Sequence, residues 1–250
     1  MKRLLSFLVL SSYLLLLLQS CGSKDDIIIE GTLENGAGKV IYIEEMTPEA
    51  RLFLDSITLD KKGHFSFRYA MPYKTFYNVH VSDQDYIVLL PDMGEKITLT
   101  GVYDSLSRSY HLQGGHDSQL LWQLQDYTNG CNRELRGLVA LDESNRQLLD
   151  AGKISQQEFD EAHNHTDSIY LSIFTQQQKY VVGFIEDNLG SLATLIALYK
   201  PFNNHPLIDP ENSFEIYDFV LEGLEEALPE NPHTLNFKNE VERLRYHYAR

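Results

Sequence analysis

The groups in this 250-residue chain with the widest chemical reach are two thiols, nine histidines and 36 carboxylates, and their spacing limits what each can do. Two cysteines cannot build a disulfide framework or a four-cysteine metal site. Cys131 stands in Asn129-Gly130-Cys131-Asn132, with no second cysteine near it, so it cannot run a dithiol exchange cycle. As a nucleophile it would need a low pKa and a positioned base. Arg133 and Arg136 are the neighbours in sequence that could favour a thiolate, and an inert structural thiol is the competing reading. His163-Asn164-His165 has a metal-like look, but on a helix residues i and i+2 point to different sides and cannot close on one ion. His111 and His116 flank a Gly-Gly turn and read as a solvated loop pair. Glu44-Glu45 and Glu225-Glu226 are adjacent and read as surface charge, not as carboxylates facing across a cleft. Gly36-Ala37-Gly38-Lys39 fails the phosphate-loop pattern, with Leu33 where the first glycine belongs and Val40 in place of Ser or Thr, and reads as a turn. No Gly-x-Ser-x-Gly elbow is present. No catalytic, cofactor-binding or metal-binding residue is therefore assigned, and no cofactor is expected.

Charge and composition exclude further classes. The formal net charge of -15 argues against sequence-independent nucleic-acid binding, which requires a basic surface. An apolar content of 43% is ordinary for a folded globular protein. The first twenty residues stand apart: Lys2 and Arg3 precede an almost unbroken apolar run from Leu4 to Leu18, short for a spanning helix and typical of an export signal. The cleavage region, Leu18-Gln19-Ser20-Cys21, resembles the bacterial lipoprotein signal box. That resemblance implies cleavage before Cys21 and lipidation of Cys21, with the membrane as a partner through the lipid anchor; the alternative is an ordinary secretory signal. After Cys21, Lys24-Asp25-Asp26 reads either as a polar tether or, by resemblance, as a surface-export signal of Bacteroidota lipoproteins. Loss of Lys2 and Arg3 would take the formal charge from -15 to -17, and lipidation of Cys21 would leave Cys131 without an intrachain partner.

The elements that would position these groups fall into two regions. Residues 27–114 carry a β pattern: Val40 to Ile43, Leu52/Leu54, Ile57/Leu59, Phe65/Phe67, Phe76 to Val81, Tyr86 to Leu90, Ile97 to Thr100 and Ser109 to Leu112. Asp60-Lys61-Lys62-Gly63 suits a hairpin turn, and Pro91-Asp92-Met93-Gly94 a turn in which Pro presets φ and Gly accepts a positive φ. Seven or eight short strands at this spacing predict an antiparallel sandwich. From residue 115 to 250 the period is helical. Asp117 is the expected cap of a helix carrying Leu120, Leu121, Leu124 and Tyr127, with a break near Gly130 and a stop at Gly152. Ser155-Gln156-Gln157-Glu158 is a capping box opening a long helix that ends near Asn188. Shorter helices follow from about Ser191 to Tyr199 and around Phe214 to Leu228, and Asn231-Pro232 opens a last one. The expected class is α+β: signal 1–20, tether 21–26, a β-sandwich-like domain 27–114 and an all-helical region 115–250. The helical part carries 22 acids and 10 bases, against 14 and 9 in residues 21–114.

Several segments in this order resemble a group of Bacteroidota lipoproteins in which an N-terminal β domain of unknown function and a helical region precede a thioredoxin-like domain. They are Ile29-Glu30-Gly31-Thr32-Leu33, Leu54-Asp55-Ser56 with Gly63-His64-Phe65-Ser66-Phe67, Leu89 to Glu95, His111 to Gly115, Phe184 to Ala193, and Leu228 to His233. In those proteins the chemistry lies in a Cys-x-x-Cys motif, which this chain lacks, and the sequence stops at Arg250 where the redox domain would begin. Three functions follow as expectations. One is a membrane-anchored, non-catalytic binding module with a protein partner in the cell envelope, at the outer membrane on its periplasmic face or the cell surface. Another is the N-terminal part of a thiol-disulfide oxidoreductase whose catalytic domain is missing. The third is a surface lipoprotein handling glycans or host components. Asp55-Ser56-Ile57, Asp104-Ser105-Leu106 and Asp167-Ser168-Ile169 resemble the O-glycosylation triplet of the same phylum.

Overall fold

The computed structural model describes residues 25–248, so the signal segment, Cys21 and most of the tether lie outside the described residues. The chain is α+β, with strands first and helices after. Strands β1 (Asp26–Glu34), β4 (His64–Ala70), β7 (Lys96–Val102) and β8 (His111–Gln113) form one four-stranded sheet in the order β4-β1-β7-β8. Strands β2 (Val40–Met46), β3 (Arg51–Thr58), β5 (Phe76–Ser82) and β6 (Asp85–Leu89) form a second, in the order β3-β2-β5-β6. Every pairing in the two sheets is antiparallel except β1 with β7, which is parallel. That parallel pair departs from the all-antiparallel expectation. It arises because the chain visits the other sheet between β1 and β7, so the two strands enter their shared sheet in the same direction.

Period-2 alternation works as expected where a strand has one wet face. Ile27, Ile29 and Leu33 of β1, Ile41 and Ile43 of β2, Phe65 and Phe67 of β4, Val79 of β5 and Ile97 and Leu99 of β7 are buried and belong to one apolar cluster shared by both sheets. Strand β3 does not follow this rule. It is an edge strand with a bulge opposite Ile43/Glu44, and Leu52 and Phe53 (63% exposed) face solvent. The Asp60–Gly63 segment is a tight turn as predicted: Asp60 Oδ1 accepts from Lys62 N at 2.7 Å and His64 N at 2.9 Å, and Gly63 has φ +80°. It is not a hairpin, because β3 and β4 belong to different sheets and the turn carries the chain between them. Only glycine fits at position 63, since a Cβ there would collide with the Leu33 carbonyl. The segment before β8 forms a short helix, α1 (Leu106–Ser109), where the sequence suggested strand from Ser109. The Asp85 carboxylate accepts the Leu106 and Ser107 N–H groups that would otherwise be orphaned there.

Two consecutive glycines at positive φ, Gly114 and Gly115, swing the chain from β8 into helix α2 (His116–Asp150). This helix runs through Gly130 without a break and stops before Gly152, at φ +65°. Asp117 is not its cap. It lies within the first turn, buried, while Gly115 occupies the cap position. Helix α3 (Gln156–Asp187) opens on the expected capping box: Glu158 N donates to Ser155 Oγ, and Ser155 N to Glu158 Oε2. Helices α2 and α3 pack together with Tyr127 and Tyr180 stacked at 3.7 Å between ring centroids. Helices α4 (Ala193–Leu198), α5 (Phe214–Ala227) and α6 (Pro232–Tyr248) complete the second half. The region is not wholly helical, because Pro201–Phe202 and His205–Pro206 pair as a two-residue ladder. Asn231 caps α6 as read from Asn-Pro, its Oδ1 accepting from His233 N at 2.9 Å.

A polar seam joins the halves. Lys74 Nζ lies 2.7 Å from Asp117 Oδ2 and 2.8 Å from Asp92 Oδ1, and Ser191 Oγ donates to Asp117. Burial alone would lower the Lys74 pKa; the hydrogen bonds to Asp117 and Asp92 outweigh it and leave it raised. Asn231 Nδ2 donates to the Lys74 carbonyl, and Leu90 N donates to Ser118 Oγ at 2.8 Å. Thr75 Oγ1 lies 3.1 Å from the Met46 carbonyl and 2.8 Å from His233 Nε2, so the hydroxyl ties strand and helix together. Phe76 and Leu90 of the strand region lie in the same apolar cluster as the helices, so the seam is packed as well as hydrogen-bonded. No helix among the described residues is long and apolar enough to cross a membrane.

Candidate functional site

Residues of α2, α4 and the β3-β2-β5-β6 sheet together line a cleft of about 350 Å³. The sheet supplies Met46, Arg51, Asn78, Tyr86 and Val88; the α1 segment supplies Ser107 and Tyr110. The helical side supplies Leu121 and Gln125 from α2, Ile196 from α4, and Lys200 just past the end of α4. Its volume lies in the range of small-ligand sites, and its walls mix apolar surface with a few polar groups.

The charges in this cleft run against the composition. Its lining holds two cations, Arg51 and Lys200, and no carboxylate, in a chain of net charge -15. Lys200 Nζ donates to the Gln125 amide oxygen at 2.7 Å and makes no ion pair among the described residues. Burial without a counter-charge pulls its pKa down to about 8. On the floor, Asn78 is only 3% exposed. Its Nδ2 donates to Glu44 Oε2 at 3.1 Å, and its Oδ1 has no partner. Flipping the amide would set its oxygen against the Glu44 carboxylate, so the unpartnered atom is the acceptor. Beside it, both ring nitrogens of His80 are also buried without a hydrogen bond, and Glu44 Oε1 is 3.7 Å from Nε2. Buried polar atoms left open in this way cost free energy unless something meets them.

The residues singled out from sequence sit elsewhere. Cys131 lies on α2, 8% exposed, and its pKa is raised by burial and then by Glu134. Arg133 and Arg136 do not favour a thiolate: both are exposed, and neither contributes to the thiol's shift, because positions i+2 and i+5 turn away from the buried stripe. His163 Nδ1 is 2.7 Å from Asp142 and Nε2 is 3.7 Å from Asp167, interactions that raise its pKa, whereas His165 faces solvent. The helix therefore separates the two histidines as expected. Among the described residues no group of three or more His, Cys, Asp or Glu is placed to hold a metal ion. His116 is solvated, and His111 lies against Trp122 at 5.9 Å between ring centroids. Lys39, in the Gly36–Lys39 turn, pairs with Asp104 at 2.7 Å. The reading of Glu45 as surface charge is wrong: it is 4% exposed, because alternation along β2 turns it inward beside Tyr69.

The cleft residues went unremarked in the sequence because no local motif joins them. The one available signal was Lys200 itself, a cation closing the apolar run Leu195-Ile196-Ala197-Leu198. No family model and no curated protein matches the chain.

Proposed function

We propose that this chain is a membrane-anchored cell-envelope lipoprotein acting as a non-catalytic binding module. Cys21 carries the lipid, and the cleft between sheet and helices is the binding site. The carrying observation is the Lys200 ammonium, held in that cleft against an amide with no carboxylate to neutralise it. A fold gains nothing in stability from a cation desolvated in this way, whereas a binding site gains a preformed charge. The raised pKa and burial of Cys131 support a reading without thiol chemistry. In this reading residues 27–114 form a β-sandwich-like domain, supported by the single apolar cluster that both sheets share, and residues 115–250 the helical region that follows it. The partners are the membrane, through the lipid, and a protein of the envelope.

Fractionation tests the anchor and an insulin-reduction assay tests the absence of redox chemistry. The wild-type chain is expected in the membrane fraction, with Cys21→Ser shifting it to the soluble fraction, and purified protein is expected to leave insulin disulfides intact. Equal partitioning of Cys21→Ser and wild type, or measurable insulin reduction, refutes the reading.

A further inference from the structure

We infer that the cleft takes a small carboxylate whose carbon frame carries hydroxyl groups, an acidic sugar by class. This deepens the binding function proposed above and rests on it. The sign of the charge comes first. Arg51 and Lys200 line the site and no acid does; the carboxylate near its floor, Glu44, is engaged by Asn78 Nδ2. Neither cation has an ion-pair partner among the described residues, so an entering anion displaces water and breaks no salt bridge. The second requirement is a donor. Asn78 Oδ1 is a buried acceptor without a partner; a bare carboxylate cannot satisfy it, whereas a hydroxyl that displaces the cover over it can. One ligand must therefore present a negative group towards the cations and a hydroxyl towards Asn78. The apolar wall of Met46, Val88 and Leu121 suits the C–H face of a compact ring, and about 350 Å³ sets the scale at a small molecule, not a polymer segment. Arg51 also offers a planar fork that matches a carboxylate in two hydrogen bonds, which a neutral sugar would leave unused.

Calorimetric titration of the detergent-solubilised full-length chain at pH 7 tests this, with D-glucuronate, D-glucose and inorganic phosphate as probes. D-glucuronate is expected to bind at one site, at least tenfold tighter than either other probe. Lys200→Met should weaken it about tenfold or more, and Arg51→Gln, at an exposed position, by a few-fold. As a readout that needs no variant, D-glucuronate should slow reductive methylation of Lys200 while leaving the exposed Lys238 unaffected. Phosphate binding that depends on Lys200, with no D-glucuronate binding, overturns the acidic-sugar assignment and leaves the binding reading standing. Equal binding of D-glucose and D-glucuronate, or D-glucuronate binding indifferent to both substitutions, also overturns the assignment. Absence of any Lys200-dependent binding overturns both.

Discussion

Replacing Lys200 with methionine should stabilise the fold at pH 7 and abolish an alkaline rise in stability that the wild-type chain shows. In the folded protein burial lowers the Lys200 pKa from 10.5 to about 8. Between those two values the unfolded chain binds the proton and the folded chain does not, so stability increases with pH through that window and is lowest below it. A full shift of that size corresponds to about 3 kcal/mol at roughly 1.4 kcal/mol per pH unit. Lys200 is only half-buried, so solvent screening reduces this to about 1–2 kcal/mol. Methionine keeps the stem's length and apolar packing. It gives up one hydrogen bond to Gln125, a loss of about 0.5–1 kcal/mol where the amide can turn to water. The net expectation at pH 7 is a gain of up to about 1 kcal/mol. Between pH 7.5 and 9.5 the wild type should then close on the variant by about 1 kcal/mol, because its ammonium discharges and the variant has none. Urea denaturation of both proteins at the two pH values, compared as a difference, removes the contribution of other titrating groups. Parallel changes in the two proteins, or a variant clearly less stable at pH 7, would show that the ammonium is not desolvated and remove the main support for the cleft as a binding site.

Three other perturbations test the seam and the core. His233, pushed down to about 4 by burial, stays neutral in the fold while the unfolded histidine protonates near 6.5, so stability should fall as pH drops from 6.5 towards 4. His233→Gln, read by thermal unfolding across that range, should flatten this dependence relative to wild type. Asp117→Asn removes the carboxylate that holds Lys74 and receives Ser191, and should cost about 3–5 kcal/mol in denaturant unfolding, since a buried ammonium loses its main partner; a loss below 1 kcal/mol refutes the seam's role. Cys131 should resist alkylation in native buffer and react fully in urea, as mass spectrometry of the labelled chain would show, whereas rapid native labelling contradicts its burial.

Much of this molecule is set by short-range chemistry and was legible in the residues. The capping box at Ser155, the Asn231-Pro232 start, the turn at Asp60 to Gly63 and the stop at Gly152 depend on a side chain meeting backbone within a few residues, so their positions follow from local sequence. The switch from period 2 to period 3.6 near residue 115 likewise follows from the apolar pattern. Long-range placement did not follow. Asp117 has the composition of a cap, yet Lys74, far away in sequence, draws it into a buried pair. The parallel β1–β7 pair depends on which sheet the intervening strands join, and the inward turn of Glu45 on the register that β2 adopts. The cleft is the extreme case. Arg51 and Asn78 lie on two different strands and Lys200 just past the end of α4; they share no motif, and only the packing of helices onto a sheet face brings them together. Local sequence specifies dihedral preferences and caps. The company a charge keeps is decided by which faces are buried against each other, and that is settled by the whole chain at once.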